Sequence, residues 1–69
     1  MENMTLVING TSREVPAVAN LGQLVRHLGL SEARIAVELN TAIIRRKDWE
    51  TTPVGDQDRV EIVQFVGGG

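Results

Sequence analysis

Apolar residues take alternate positions at Met4, Leu6 and Ile8, a period of two that predicts a strand over residues 4–8. Asn9-Gly10 follows. Both central residues of a type I′ turn need positive φ, so this pair should fold the chain straight back into a hairpin. Residues 11–15 supply the return strand. Pro16 has no N–H to give to a ladder, so it ends that strand or keeps it at the sheet edge. The period then changes: Leu21, Leu24, Val25 and Leu28 stand at i, i+3, i+4 and i+7, one stripe of a helix. Asn20 is placed as its N-cap, with Gln23 where a capping-box partner belongs. Gly29 suits the left-handed residue that closes a helix, and Leu30 its hydrophobic contact. A helix this short is not stable alone in water, so the stripe must pack on a sheet.

Period two returns in the second half. Ile35, Val37 and Leu39 alternate with Ala36 and Glu38 as a third strand, and Asn40-Thr41 turns the chain. Residues 42–44 form a short fourth strand, followed by a polar stretch over 45–50 around Trp49. Pro53, Gly55, Asp56 and Asp58 are turn formers. Residues 60–66 are the most β-prone segment, and Gly67-Gly68-Gly69 comes after them. This order implies an α+β domain in which one helix lies across one face of a mixed, four- to five-stranded sheet. The expected core is Met4, Leu6, Ile8, Leu21, Leu24, Val25, Leu28, Ile35, Val37 and Leu39, joined by Val60 and Ile62. A single helix covers a single face, so alternation leaves Val63 and Phe65 on the open face. There, near Thr5 and Val7, they would form an apolar docking patch for a partner. Trp49 is expected to cover the edge of the core.

Size and charge narrow the function. A chain of 69 residues is one domain, with little interior left for the cleft most enzymes need. It has no cysteine, hence no disulfide and no thiolate-bound metal. Seven Lys and Arg against nine Asp and Glu give a net charge of −2, without the basic excess of a nucleic-acid binder. The Arg45-Arg46-Lys47 cluster is followed at once by Asp48 and Glu50 and reads as a solvated turn. Asp56 and Asp58 lack further oxygen ligands nearby, and His27 lacks a second histidine, so no metal site is expected. No secretory signal and no membrane-spanning run is present, which points by exclusion to the cytoplasm.

The glycine tail is the feature the fold does not need. Glycine costs the most backbone entropy to order and packs nothing, so residues 67–69 are expected to be a mobile tail on a folded domain of residues 1–66. Extended, three residues reach ~10 Å past the last strand. Such an end has a chemical use. A carboxylate is a poor electrophile, but attack on the α-phosphate of ATP turns it into an acyl-adenylate with a good leaving group. A sulfur nucleophile can then take the acyl group and leave a thiocarboxylate. A tail without side chains can be threaded through a narrow channel to a partner's nucleotide.

Over almost its whole length the chain resembles the ThiS family, the ubiquitin-like sulfur carriers of thiamin thiazole biosynthesis. The most specific stretch is Val60-Glu61-Ile62-Val63-Gln64-Phe65-Val66-Gly67-Gly68-Gly69, supported by Val37-Glu38-Leu39-Asn40, by Ile43-Ile44-Arg45-Arg46 and by Trp49. The resemblance implies the β-grasp fold and a protein that is a co-substrate, not an enzyme. It implies that Gly69 is adenylated and becomes the thiocarboxylate, with Gly67 and Gly68 as its threading neighbours. The partners implied are a ThiF-type adenylyltransferase, through which ATP and a sulfur donor act, and a ThiG-type thiazole synthase. No cofactor is bound. Two departures stand out: Arg45 where the family usually has proline, and Gln57-Asp58 where it often has Gly-Asp. Rival readings are the sulfur carrier of molybdopterin synthesis, a ubiquitin-like modifier that conjugates to lysines, and a plain interaction domain.

Overall fold

The computed structural model describes residues 2–65. The expectations placed on Val66, Gly67, Gly68 and Gly69 lie outside the described residues. Asn9 and Gly10 both have positive φ, at 49° and 82°, and join strand β1 (Asn3–Ile8) to strand β2 (Thr11–Pro16) as the sequence predicts. Helix α1 (Leu21–Leu28) carries both of its expected caps. The Asn20 side chain accepts the Gln23 backbone N–H at 2.8 Å. The Gln23 side chain reaches back one residue further than a capping box requires, accepting the Ala19 N–H at 2.7 Å. At the other end Gly29 is left-handed at φ 72°. Its N–H donates to Arg26 O and that of Leu30 to Val25 O, the paired bonds of a Schellman closure.

Strands β3 (Ile35–Leu39) and β4 (Ala42–Ile44) form the second hairpin, and β5 (Arg59–Gln64) completes one sheet in the order β2-β1-β5-β3-β4. All pairs are antiparallel except β1 with β5, which run parallel. A mixed five-stranded sheet with one helix on one face is the β-grasp arrangement, as expected. The last strand in sequence therefore sits in the middle of the sheet. Two asparagines hold it there. The Asn9 side chain accepts the Ile62 N–H at 2.7 Å and donates to Ile62 O at 3.2 Å, taking the place of a strand residue where β1 has ended. Asn40, also at φ 49°, accepts the Arg59 N–H through its side chain at 2.9 Å.

The core follows the predicted stripe and strand faces, with three corrections. Leu28 and Leu39 are only partly buried against it. Val15 and Val54 belong to it, although neither was expected. Trp49 does not cap an edge: it is 2% exposed, inside the core, and its indole N–H donates to Ile44 O at 3.0 Å. A 3₁₀ turn over Arg46–Thr51 makes this possible, folding a polar stretch so that one residue faces inward. Across α1, Arg26 binds the Glu50 carboxylate through both terminal nitrogens. That contact holds the Glu50 carboxyl below its ordinary range and the Arg26 guanidinium above its own.

Candidate functional site

The candidate site is the C-terminal half of β5, because it delivers the chain to the glycine tail. Val60 and Ile62 face the helix and are buried, while Val63 and Phe65 point away from it at 58% and 59% exposure. The open face thus carries the two residues expected there, but not beside Thr5 and Val7. The parallel register pairs Val7 with Arg59 and Ile8 with Val60, after which β1 turns away. Val63 lies beyond that point and is paired with Ala36 on β3. The Phe65 N–H continues the same ladder, donating to Arg34 O at 2.7 Å.

One member of this surface escaped the sequence reading. Ile43 is 76% exposed, the most exposed large apolar residue among those described. It is paired with Glu38, one step along β3 face from Ala36. Its signal was present in sequence: alternation in 42–44 cannot bury both Ile43 and Ile44, and Ile44 is the one packed against the core. Ile43, Ala36, Val63 and Phe65 therefore share one face of the sheet. Beside them two like charges meet, since Glu38 and Glu61 are directly paired across β3 and β5.

On the helix side of the same strand end is a shallow groove of about 220 Å³. Its apolar walls are Ile8, Leu28, Leu30 and Ile62, and Arg13 and Gln64 stand at its rim. Small-molecule sites run from about 300 to 1,000 Å³, so this groove suits a side chain better than a substrate.

Among the described residues no other candidate chemistry gathers. Asp56 accepts the Thr5 N–H at 2.7 Å and Asp58 the Gly55 N–H at 2.8 Å, so both carboxylates are occupied in holding the turn before β5. No group of metal-ligating side chains occurs among the described residues. His27 is exposed on α1. Among the described residues no helix is long and apolar enough to cross a membrane.

Comparison with known proteins gives a consistent picture. The ThiS family model matches residues 6–69. The crystal structure of the thiamine biosynthesis protein ThiS from Geobacter metallireducens superposes with a TM-score of 0.80 at 35% identity, covering 96% of this chain and 100% of that one. A protein designated ycf40 in Porphyra purpurea is 34% identical over 68 residues, which are 99% of this chain and 96% of that protein. The thiazole synthase of Paramagnetospirillum magneticum is 39% identical over 66 residues. In that case the match takes in 96% of this chain but only 20% of the thiazole synthase, so the chain spans one fifth of that relative.

Proposed function

Because the chain belongs to the ThiS family, we propose that it is a sulfur carrier whose Gly69 carboxylate is adenylated and converted to a thiocarboxylate for thiazole formation. The observation that carries this reading is the placement of β5. Strand β5 stands in the middle of the sheet, held by β1 and Asn9 as far as Ile62 and by β3 to its end at Gln64, so the central strand of the sheet is the one that hands the chain on to Gly67-Gly68-Gly69.

The chemistry is divided between two proteins. The Gly69 carboxylate oxygen attacks the α-phosphorus of ATP and expels pyrophosphate, forming the acyl-adenylate. A sulfur nucleophile supplied through the activating enzyme attacks the acyl carbon, and AMP leaves with its bonding pair. With sulfide as the nucleophile, loss of its proton leaves the thiocarboxylate on Gly69. With a persulfide donor, a thiol must then attack the S–S bond of the acyl disulfide, releasing the thiocarboxylate and leaving a disulfide on the donor. A ThiF-type adenylyltransferase contributes the nucleotide site; this chain contributes the reacting atom and the surface by which it is recognised. That surface is the open sheet face, with Val63, Phe65 and Ile43 as its apolar anchors. A thiazole synthase is the acceptor, a reading supported by a thiazole synthase that includes a sequence similar to this one.

Intact mass spectrometry tests the proposal directly. After incubation with ATP, an adenylyltransferase of this type and a sulfur donor, the protein should exchange one C-terminal oxygen for sulfur. An unchanged mass with competent partners removes the carrier reading. Isopeptide adducts to lysine, with no free thiocarboxylate, would select the modifier instead.

A further inference from the structure

Backbone pairing along β5 alternates strictly. Its odd-numbered residues face β3, as the bonds from Asn40 N–H to Arg59 O and from Phe65 N–H to Arg34 O record. Its even-numbered residues face β1. There Val7 N–H donates to Asp58 O, Asn9 N–H to Val60 O, and the Asn9 side chain satisfies both backbone groups of Ile62. The next even residue is Gln64. The hairpin has already turned at Asn9 and Gly10, so the N–H and C=O of Gln64 point to a side with no strand, and they have no partner among the described residues. β5 outlasts its neighbour by one peptide unit, and that free edge borders the 220 Å³ groove.

The third feature of this place is a charge. Arg13 stands at the groove rim on the helix side of edge strand β2 and makes no ion pair among the described residues. An edge amide and carbonyl, an apolar hollow of side-chain size and one uncommitted guanidinium are the three elements that receive an extended peptide. Strand addition supplies the main-chain bonds, and the hollow and the cation select side chains two apart, which lie ~6.6 Å from each other on one face.

We infer that this edge and groove bind an extended segment of the adenylyltransferase, lying beside Gln64 in the line β1 vacates, with an apolar side chain in the groove and a carboxylate on Arg13. The inference rests on the carrier reading. It adds a second recognition site, on the opposite side of the sheet from Ile43, Val63 and Phe65, so the root of the tail is gripped on both faces. Arg13 acts here as a specificity residue and takes no part in the chemistry.

The test is steady-state adenylation, read as ATP–pyrophosphate exchange with the adenylyltransferase. Arg13→Gln is compared with Lys47→Gln, which makes the same change in net charge at a residue that does not line the groove, and with Arg13→Lys. Arg13→Gln should raise KM for the carrier by about tenfold with kcat unchanged, while Arg13→Lys stays within about threefold of the parent. Lys47→Gln should leave both constants alone. Hydrogen exchange supplies a readout of strand pairing: in the wild-type complex the Gln64 amide should exchange at least about tenfold more slowly than in the free protein. Equal KM values for Arg13→Gln and Lys47→Gln, or a Gln64 amide that exchanges as fast in the complex as alone, overturn the inference. Those results, with the wild type still adenylated, leave the carrier reading in place. A wild type that is never adenylated removes that reading, and this inference with it.

Discussion

The two faces of the sheet are written in the same alternating code and meet opposite fates. On the helix face, Leu6, Val37 and Val60 are at most 1% exposed beneath Leu21, Leu24 and Val25. On the other, Ile43, Val63 and Phe65 remain 58–76% exposed, although they are no less apolar. The difference lies in the supply of covering elements: among the described residues there is one α-helix, and it closes one face. Apolar alternation therefore marks which residues are paired off to a face, and the count of helices decides whether that face becomes core or contact surface.

The contrast is tested hardest by cutting one side chain from each face. Leu6→Ala should cost about 3 kcal/mol or more of stability, within the range for buried leucines. Small domains hold only ~0.05–0.15 kcal/mol per residue in total, so urea denaturation should show a protein close to unfolding. Phe65→Ala should cost less than ~1 kcal/mol in the same measurement. Its effect belongs in binding, where the affinity for the adenylyltransferase should fall by ~1–2 kcal/mol, read by calorimetry. A Phe65→Ala loss of ~3 kcal/mol in folding would erase the distinction between the faces.

Smaller effects refine the comparison at the strand both faces share. The turn that feeds β5 holds Gln57 at φ 72°, in the left-handed region. This is the position where the family often has glycine, so the departure seen in sequence has a backbone cost. Gln57→Gly should raise stability by ~1 kcal/mol in thermal unfolding, and a loss would mean the Gln57 side chain contributes more than its backbone strain takes. Smallest is the paired Glu38 and Glu61. Like charges directly opposed across strands are unfavourable, so Glu61→Gln should stabilise by ~0.2–1 kcal/mol at low salt and by less at high salt. A destabilised Glu61→Gln would show that neighbouring cations already neutralise the pair.

Local signals carried most of this structure. Both hairpins, both helix caps and the stripe of α1 stand where periodicity and turn residues put them, because each depends on residues a few positions apart. What sequence left open was non-local. Nothing near residue 60 states that β5 lies parallel to β1 with Val7 against Arg59, and that register moved Val63 from the neighbourhood of Thr5 and Val7 to Ala36. Trp49 was misplaced for a related reason. Its stretch is polar and has no period, and only the 3₁₀ turn aims the ring at the core. Val54 follows a turn proline, where no alternation flags burial. Of the candidate site, Val63 and Phe65 were legible as a surplus of apolar faces, whereas the groove under Gln64 needed the relative lengths of β1 and β5.

The parallel pairing of β1 and β5 also determines how the domain bears mechanical force. Asn3 begins one central strand and Gln64 ends the other, and the two strands run the same way with β1 starting behind β5. A pull on the tail against an anchored first strand acts along both strands and loads their crosslinks in shear. The bonds from Val7 to Asp58, from Asn9 to Val60 and from the Asn9 side chain to Ile62 then share the load together, whereas a peeled hairpin yields one bond at a time. Rupture under tension is set by the unfolding rate, and a cooperative shear barrier keeps that rate low. Tension applied beyond Gln64 is therefore resisted by the paired strands as a unit.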